Sequence, residues 1–290
     1  MTPSIWLWLI AAQILWGGSY VAMKFAGAEL PIGAVVTLRY ALASVGFLTL
    51  FAFRGFPRVD RRDGLLIAVL GAVNFTVSPS LQLWALEYTQ ASDVAILVAL
   101  EPVITVLLAA AVLRERVSLR TWAAGGLGFL GALALSGIAL TAAGPAPERL
   151  IGNGLFLASI LCEASVTIAG GRLARRYDPL VAMGLLKIAG FLAAGVAYAH
   201  IWTGVDLSTV SAQAWGSVLY LAWLASLFSY TVWYAAIRVA PVSRVALTLF
   251  LQPIAGAALA YFLAGERFGT NTLIGGVLIL AAFALNARRS

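Results

Sequence analysis

Apolar residues recur along the chain in ten windows of about 20 residues, separated by short polar stretches. A window of this length crosses the hydrocarbon core of a bilayer as an α-helix, because each residue adds about 1.5 Å along the helix axis. The polar stretches leave no room for an independent soluble domain. We therefore predict an all-α integral membrane protein with ten transmembrane helices, centred near residues 14, 42, 74, 102, 131, 160, 190, 225, 252 and 279.

The second half of the chain repeats the first with the signs of its loop charges reversed. Glu87 aligns with Arg238 and Asp93 with Arg244, in each case 151 positions later. Loop charge follows membrane orientation, and five helices per repeat make the second copy enter the bilayer the opposite way. Such inverted repeats are typical of secondary transporters. We predict two inverted five-helix repeats, at residues 1–141 and 149–290.

The composition and the charge distribution favour a membrane protein. The chain is 62% apolar and 11% charged, whereas soluble domains carry about 25% charged residues. Its net charge of +7 reflects topology, because 14 of its 19 Lys and Arg residues fall on the side of the membrane that holds both termini and only 3 on the other. The positive-inside rule predicts that both termini are cytoplasmic, so the basic charge does not indicate a nucleic-acid partner.

Several short motifs follow one another in the order of a known transporter family. They are the first-helix stretch Trp16–Lys24, the triplet Leu38-Arg39-Tyr40 in the second helix, and Glu101-Pro102 followed by Glu115. This ordered set resembles the drug/metabolite transporter superfamily, and within it the EamA-type ten-helix exporters, over nearly the whole chain. Within that group it is similar to bacterial aromatic amino-acid exporters. The resemblance implies efflux of amino acids or related metabolites across a bacterial inner membrane.

Four ionisable side chains fall inside predicted spans, namely Arg39, Glu101, Glu163 and Lys187. Each costs at least about 2.5 kcal/mol in hydrocarbon, so such residues face protein or a water-filled cavity. Glu101 and Glu163 lie near the middle of their spans, where a substrate or proton site and a structural ion pair are both open interpretations. For Arg39 and Lys187, which lie nearer the span ends, we expect helix packing or snorkelling.

Polar and aromatic side chains recur at helical spacing along several predicted spans. Asn74, Ser78 and Gln82 follow one another every four residues, and Ser159 and Glu163 do the same on the sixth span. Because lipid is the apolar solvent, a polar stripe faces the protein interior, and nearby rings suit a small amphipathic solute. We predict a substrate site that contains Trp16, Tyr20, Asn74, Ser78, Gln82, Glu101, Glu163, Tyr230 and Gln252.

Two further pairs of equivalent positions suggest structural roles. Pro102 and Pro253 each remove a backbone donor from their span. Matched kinks in both halves suit a pair of hinges for the rocking motion of transport. A kink that serves only helix packing is an equally open interpretation. The loop residues Glu115 and Glu266 are expected to cap helix ends or to form surface ion pairs.

The features together favour a secondary transporter that exports amino acids, with aromatic or neutral side chains favoured, or related small metabolites by alternating access. Proton exchange through Glu101 or Glu163 and uncoupled facilitated diffusion are both open. A drug or nucleotide-sugar carrier is the alternative within transport. A channel and an intramembrane lipid-modifying enzyme are the alternatives from other classes.

Several kinds of chemistry have no motif in the sequence. There is no phosphate-binding loop, no metal-ligand cluster and only one histidine, His200. We therefore expect no catalytic residue, no metal and no cofactor. The expected partners are a small-molecule substrate and the lipids of the bacterial inner membrane, and a monomer is compatible with the sequence.

Overall fold

The computed structural model describes residues 3–88, 91–135, 147–264 and 270–287, which form helices joined by short loops. These residues contain ten long helices, as predicted, two short 3₁₀ helices at Ala199–Gly204 and Leu207–Thr209, and no β-strand. Each helix contains the centre of one apolar window. The helices are α1 (Pro3–Gly27), α2 (Ile32–Arg54), α3 (61–88), α4 (Ala91–Val112), α5 (Leu119–Leu135), α6 (Pro147–Arg176), α7 (Pro179–Ala197), α8 (212–239), α9 (242–264) and α10 (Thr270–Ala287).

The length and hydropathy of the described helices establish a multi-pass membrane protein. Six of them, α1, α2, α3, α6, α7 and α8, are long and apolar enough to cross a bilayer. Shorter apolar stretches lie in α4, α9 and α10, at Leu97–Val112, Val242–Gly256 and Leu273–Asn286.

The helices form two compact units, and each unit takes residues from both halves of the sequence. The first unit contains Met1–Thr76 and Ala169–Val239, and the second contains Val77–Ile168 and Ala240–Ser290. Helices α3 and α6 each contribute one end to each unit. The compact units therefore do not coincide with the sequence repeats at 1–141 and 149–290. The bounds of these repeats stay a prediction from the sequence.

In the first unit, glycines let α3 and α7 pack backbone to backbone. A Cβ atom on Gly71 would lie 2.5 Å from Leu186 O, and one on Gly190 would lie 2.5 Å from Phe75 Cβ. Real Cβ atoms do not approach other atoms so closely, so a larger residue would push the helices apart. The Thr76 hydroxyl donates to Gly190 O at 3.2 Å. This crossing fixes Phe75 against α7.

In the second unit, α5 and α10 cross closely, and Glu115 caps α9. A Cβ atom on Gly131 would lie 2.8 Å from Ile279 Cγ1. The first N–H groups of α9, at Val242 and Ser243, donate to the two carboxylate oxygens of Glu115 at 2.8 and 3.0 Å. A helix N-terminus favours a carboxylate in this position, and the capping role expected of Glu115 is confirmed. The equivalent Glu266 lies outside the described residues.

Two helices contain π-helical segments at equivalent positions of the predicted repeats, Val73–Val77 in α3 and Tyr220–Phe228 in α8. A π segment forms i→i+5 hydrogen bonds, which turns the residues after it relative to a regular α-helix. Asn74 lies in the first segment, whereas Ser78 and Gln82 lie in the α-helical segment that follows. The spacing of four residues therefore does not keep Asn74 in register with the other two.

The two prolines that are equivalent in sequence lie in different backbone settings. Pro102 lies in the interior of α4, which continues past it. Pro253 follows the 3₁₀ segment Leu247–Phe250 of α9 and lies in the first turn of the α-helical segment Leu251–Ala264. Pro253 thus lies where α9 changes from 3₁₀ to α-helical hydrogen bonding, whereas Pro102 interrupts a continuous α-helix. The hinge role of both stays a prediction.

Candidate functional site

The predicted site residues divide between the two compact units. Trp16, Asn74 and Tyr230 belong to the first unit. The side chain of Tyr20 lies outside the described part of the structure. The members in the second unit are Ser78, Gln82, Glu101, Glu163 and Gln252, together with Pro102 and Pro253.

In the first unit, Lys187 of α7 lies in a cage of three aromatic rings. Its Nζ is 3.5 Å from the ring centroid of Phe75, 3.7 Å from that of Tyr230 and 4.8 Å from that of Tyr40. The lysine side chain is 0% exposed. The face of an aromatic ring attracts a cation, by about 2 kcal/mol or more where water is excluded. A cage of this geometry is suited to stabilise a positive charge at Nζ.

The burial of Lys187 corrects one expectation from the sequence. A lysine near the end of a span was expected to snorkel to the interface or to pack against a helix, and the snorkelling interpretation is wrong. The residue was also left out of the predicted site. The sequence did contain a signal for Lys187, because it is an ionisable residue inside a span. The free energy needed to place such a residue in the membrane marks functional positions. The three rings around Lys187 come from α2, α3 and α8. The position of Lys187 along its own span does not show which residues of other helices surround it.

Trp16 of α1 extends the cage through edge contacts. Its ring centroid lies 4.9 Å from that of Tyr230 and 5.7 Å from that of Trp233. The indole Nε1 donates to Ala225 O, in the π segment of α8, at 2.8 Å. The structure thus brings together Trp16 and Tyr230, and places the buried Asn74 next in sequence to a ring of the cage.

Arg39 of α2 adds a second cation to the same unit. Its Nε donates to Ser226 Oγ on α8 at 2.7 Å, and its Cζ lies 5.5 Å from the ring centroid of Tyr40. The contact with α8 agrees with the packing role expected for Arg39. Two basic side chains of the first unit, Arg39 and Lys187, therefore lie close to the Tyr40 ring.

In the second unit, the Glu163 carboxylate of α6 accepts hydrogen bonds from a hydroxyl and an amide group of α3. Ser78 Oγ donates to Glu163 Oε1 at 2.8 Å, and Gln82 Nε2 donates to the same oxygen at 3.1 Å. Ser78 Oγ also lies 3.3 Å from Ser159 O. Ser78 and Gln82 are one turn apart on α3, as Ser159 and Glu163 are on α6, so each polar pair lies on one face of its helix. The two faces meet at the Glu163 carboxylate.

Glu101 of α4 supplies a second carboxyl group to the second unit. Like Glu163, it is half-buried and lies near the middle of its helix. Two carboxyl groups at such positions in one unit are candidates for holding a proton or a cation. Gln252 of α9, the sequence equivalent of Glu101, is half-buried in the same unit.

A further set of charged side chains, which the sequence analysis did not single out, joins α3 to the end of α6 in the first unit. Asp63 is 1% exposed and lies 2.7 Å from Arg176 Nη1 and 3.7 Å from Arg172 Nη2. Asp60 also pairs with Arg176. Tyr177 donates its hydroxyl to Asp63 Oδ2 at 2.7 Å, and this hydrogen bond raises the pKa of the Tyr177 phenol above its ordinary value. The cluster ties two helices together.

Comparisons with known proteins match the whole chain. The model of the EamA-like transporter family matches residues 3–137 and 150–288. The uncharacterized transporter YetK of Bacillus subtilis (strain 168) is 24% identical, with 93% of this chain and 84% of the relative covered. A probable terminal-alkyne amino-acid exporter of Streptantibioticus cattleyicolor is 28% identical, with 100% and 95% covered. One solved crystal structure shares the fold with a TM-score of 0.82 at 18% identity, over 99% of this chain and 97% of that one.

Proposed function

Because the chain belongs to the EamA-like transporter family, we propose that this transporter exports amino acids, with aromatic or neutral side chains favoured, or closely related small metabolites. The proposal includes alternating access across the bacterial inner membrane with both termini in the cytoplasm. The family and the relatives are named transporters and not enzymes, so the lipid-modifying enzyme considered from the sequence is set aside. One relative along the full chain is named a probable exporter of an amino acid.

The observation that carries the substrate class is the Glu163 carboxylate with its donors Ser78 and Gln82. A carboxylate inside a span is costly and marks a functional position. Its negative charge suits the ammonium group that all common amino acids carry, because charge-assisted hydrogen bonds are stronger than neutral ones. The hydroxyl and amide donors of α3 hold the carboxylate in one orientation.

The aromatic cluster of the first unit supports the preference for aromatic or neutral side chains. Trp16 and Tyr230 meet edge to face, and both side chains are half-buried, so part of each ring remains as accessible apolar surface. Such surface binds an aromatic or aliphatic side chain by burial, at about 25 cal/mol per Å² of apolar area removed from water.

Coupling to protons is a separate part of the proposal. Glu101 and Glu163 are both half-buried carboxyl groups inside helices of the second unit, where a negative charge is costly, and a proton on either one removes that charge. A substrate ammonium group compensates the same charge. A proton role and a binding role therefore make different predictions about gradient-driven accumulation and about exchange without a gradient.

The test uses the full chain in proteoliposomes with labelled phenylalanine, leucine and a nucleotide sugar, with and without a pH gradient. Saturable amino-acid flux with counterflow supports the proposal, whereas flux without counterflow indicates a channel. Movement of the nucleotide sugar alone overturns the substrate class. Glu163→Gln is expected to reduce phenylalanine flux at least about tenfold. Asp178→Asn, at the exposed cap of α7, serves as the control carboxylate substitution.

The same liposomes separate the two roles of the carboxylates. If Glu101→Gln or Glu163→Gln abolishes accumulation driven by the pH gradient but leaves exchange intact, the residue carries a proton. If accumulation and exchange fall together, it binds substrate. Wild-type flux that ignores the pH gradient excludes proton coupling and leaves facilitated diffusion.

A further inference from the structure

The α2–α3 connection, residues 53–62, forms a positively charged surface at the edge of the membrane. We propose that this connection binds an anionic phospholipid, with its arginines on the headgroup phosphate and its exposed phenylalanine rings against the acyl chains. Both α2 and α3 are long and apolar enough to cross the bilayer, and α2 ends at Arg54 whereas α3 begins at Arg61. The short stretch between them therefore lies at the membrane surface, where phospholipid headgroups are found.

Both acidic residues near the start of α3 are engaged by the end of α6. Asp63 is buried and lies 2.7 Å from Arg176 Nη1, and Asp60 also pairs with Arg176. Arg172 Nη2 lies 3.7 Å from Asp63, and Tyr177 donates its hydroxyl to the same carboxylate. The two carboxylates are thus balanced by two arginines of α6, and they do not neutralise the arginines of the connection itself.

Four arginines of the connection are exposed and available to a ligand. Among the described residues, no carboxylate forms an ion pair with any of these four. They are Arg54, Arg58, Arg61 and Arg62. Each guanidinium group presents a planar fork of N–H donors, which matches two oxygens of one phosphate group. A cluster of this size next to a membrane span attracts anionic headgroups, and each arginine strengthens the attraction.

Two exposed aromatic rings alternate with these arginines. Phe53 is 86% exposed and Phe56 is 70% exposed. Gly55 ends α2 with a φ of 91°, a conformation that favours glycine, and so turns the chain away from the helix axis between the two rings. An exposed ring gains free energy when acyl chains remove it from water. The rings therefore favour a lipid over a free phosphate ion, which has no apolar part to cover them.

The test measures lipid binding to the purified full chain in a neutral detergent by native mass spectrometry, without any transported substrate. Phosphatidylglycerol carries a net negative charge, whereas the choline group of phosphatidylcholine cancels the charge of the same phosphate. Arg54→Gln with Arg58→Gln removes two arginines of the connection. Arg114→Gln with Arg116→Gln removes two exposed arginines of the second unit and is the matched control.

Wild-type protein is expected to bind phosphatidylglycerol at least about tenfold more tightly than phosphatidylcholine. Arg54→Gln with Arg58→Gln is expected to weaken phosphatidylglycerol binding about 10- to 30-fold, because each arginine at the surface contributes to the attraction. The control pair is expected to change it less than about threefold. An equal loss for both pairs identifies the general basic charge of the protein and overturns the inference. A wild-type protein that binds both lipids equally well overturns it too.

A second pair of substitutions tests the apolar part of the ligand. Phe53→Ser with Phe56→Ser changes two exposed side chains, keeps all four arginines, and is expected to weaken phosphatidylglycerol binding at least about fivefold. If this variant binds the lipid like wild type, the rings take no part and the lipid assignment is wrong. Millimolar inorganic phosphate is compared with chloride at equal ionic strength, because both salts screen charge. If phosphate displaces the lipid and chloride does not, the site takes a free phosphate ion and the inference is overturned.

Discussion

Ser78 and Glu163 lie 85 positions apart in the chain, yet only 2.8 Å separates Ser78 Oγ from Glu163 Oε1. The contact joins α3 to α6 and lies in the second compact unit. Because the carboxylate also accepts from Gln82, two donors on one helix face set the direction of a charge on another helix. Whatever Glu163 binds, the α3 face determines how its oxygens are presented.

The first prediction concerns this pair. Ser78→Ala removes one of the two donors and is expected to raise the apparent KM for phenylalanine about fivefold, because one hydrogen bond contributes about 1 kcal/mol. The maximal rate changes less, since the carboxylate itself remains. Initial rates in proteoliposomes give both constants. Ser19→Ala is the matched control, because that hydroxyl donates to Leu15 O in its own helix. Equal KM values for Ser78→Ala and wild type would rule out an orienting role.

The second prediction concerns the two aspartates near the start of α3. The Asp63 side chain is 2% exposed, whereas that of Asp60 is 64% exposed, and both pair with Arg176. Asp63→Asn is expected to lower the free energy of unfolding by about 1–3 kcal/mol, because it weakens a buried ionic and hydrogen-bonded group. Asp60→Asn is expected to cost less than about 1 kcal/mol, as exposed pairs do. Thermal unfolding in detergent measures both, and a larger loss for Asp60→Asn contradicts the assignment.

The third prediction concerns glycines of α5. A Cβ atom on Gly131 would lie 2.9 Å from Ile279 N and 3.0 Å from Gly275 O, whereas one on Gly126 would have nothing within 4 Å. Gly131→Ala therefore forces backbone apart and is expected to lower the melting temperature by several degrees, at a cost of about 1–3 kcal/mol. Gly126→Ala is expected to be neutral or to stabilise α5 by up to about 1 kcal/mol, since alanine is the better helix former. Similar melting temperatures for the two variants would show that α5 and α10 do not pack closely.

The fourth prediction concerns pH and the loop that follows α1. Ser211 donates its N–H and its hydroxyl to the Glu29 carboxylate at 2.7 and 2.6 Å. These hydrogen bonds favour the ionised form and hold the pKa of Glu29 below its ordinary value. A lowered pKa in the folded protein means that the stabilisation is present above the unfolded-state pKa and is lost as the pH falls through the folded value.

The measurement is the difference in melting temperature between wild type and Glu29→Gln. The difference is expected to be constant between about pH 7 and pH 5 and to shrink below about pH 4, where the unfolded carboxyl group begins to take up protons. Ser211→Ala removes the donor hydroxyl and is expected to flatten this dependence. A difference that does not vary down to about pH 3 contradicts the assigned cause of the pKa change.

The helices were predictable from the sequence, and their irregularities were not. Ten apolar windows predicted ten helices because a membrane span has nearly fixed length and composition. The same windows gave no sign of the π segments at Val73–Val77 and Tyr220–Phe228. A π segment inserts one residue into a regular ladder, and the apolar residues that form it resemble any others in a span.

The site was predictable where its contacts follow helix periodicity. Ser78 with Gln82, and Ser159 with Glu163, were recognised as one-turn pairs, and the structure joins the two pairs. The partners of Lys187 were missed because Tyr40, Phe75 and Tyr230 come from three other helices, and no spacing rule relates them. The buried Asp63 was missed for the same reason, since its arginines lie more than 100 positions away.

The cage around Lys187 also bears on how the protein is made. The sequence analysis places Lys187 nearer the end of its span, but in the structure it lies at the middle of α7 (Pro179–Ala197). A lysine at a helix centre costs about 2.5–3.5 kcal/mol when a lone helix is inserted from the translocon. Synthesis runs from the N-terminus, so α2 with Tyr40 and α3 with Phe75 are in the bilayer before α7 arrives, and α8 with Tyr230 follows one helix later. Tyr40 and Phe75 are therefore in place when α7 with Lys187 is inserted, and Tyr230 completes the cage afterwards. The early helices act as a template for the membrane integration of a segment that is unfavourable alone.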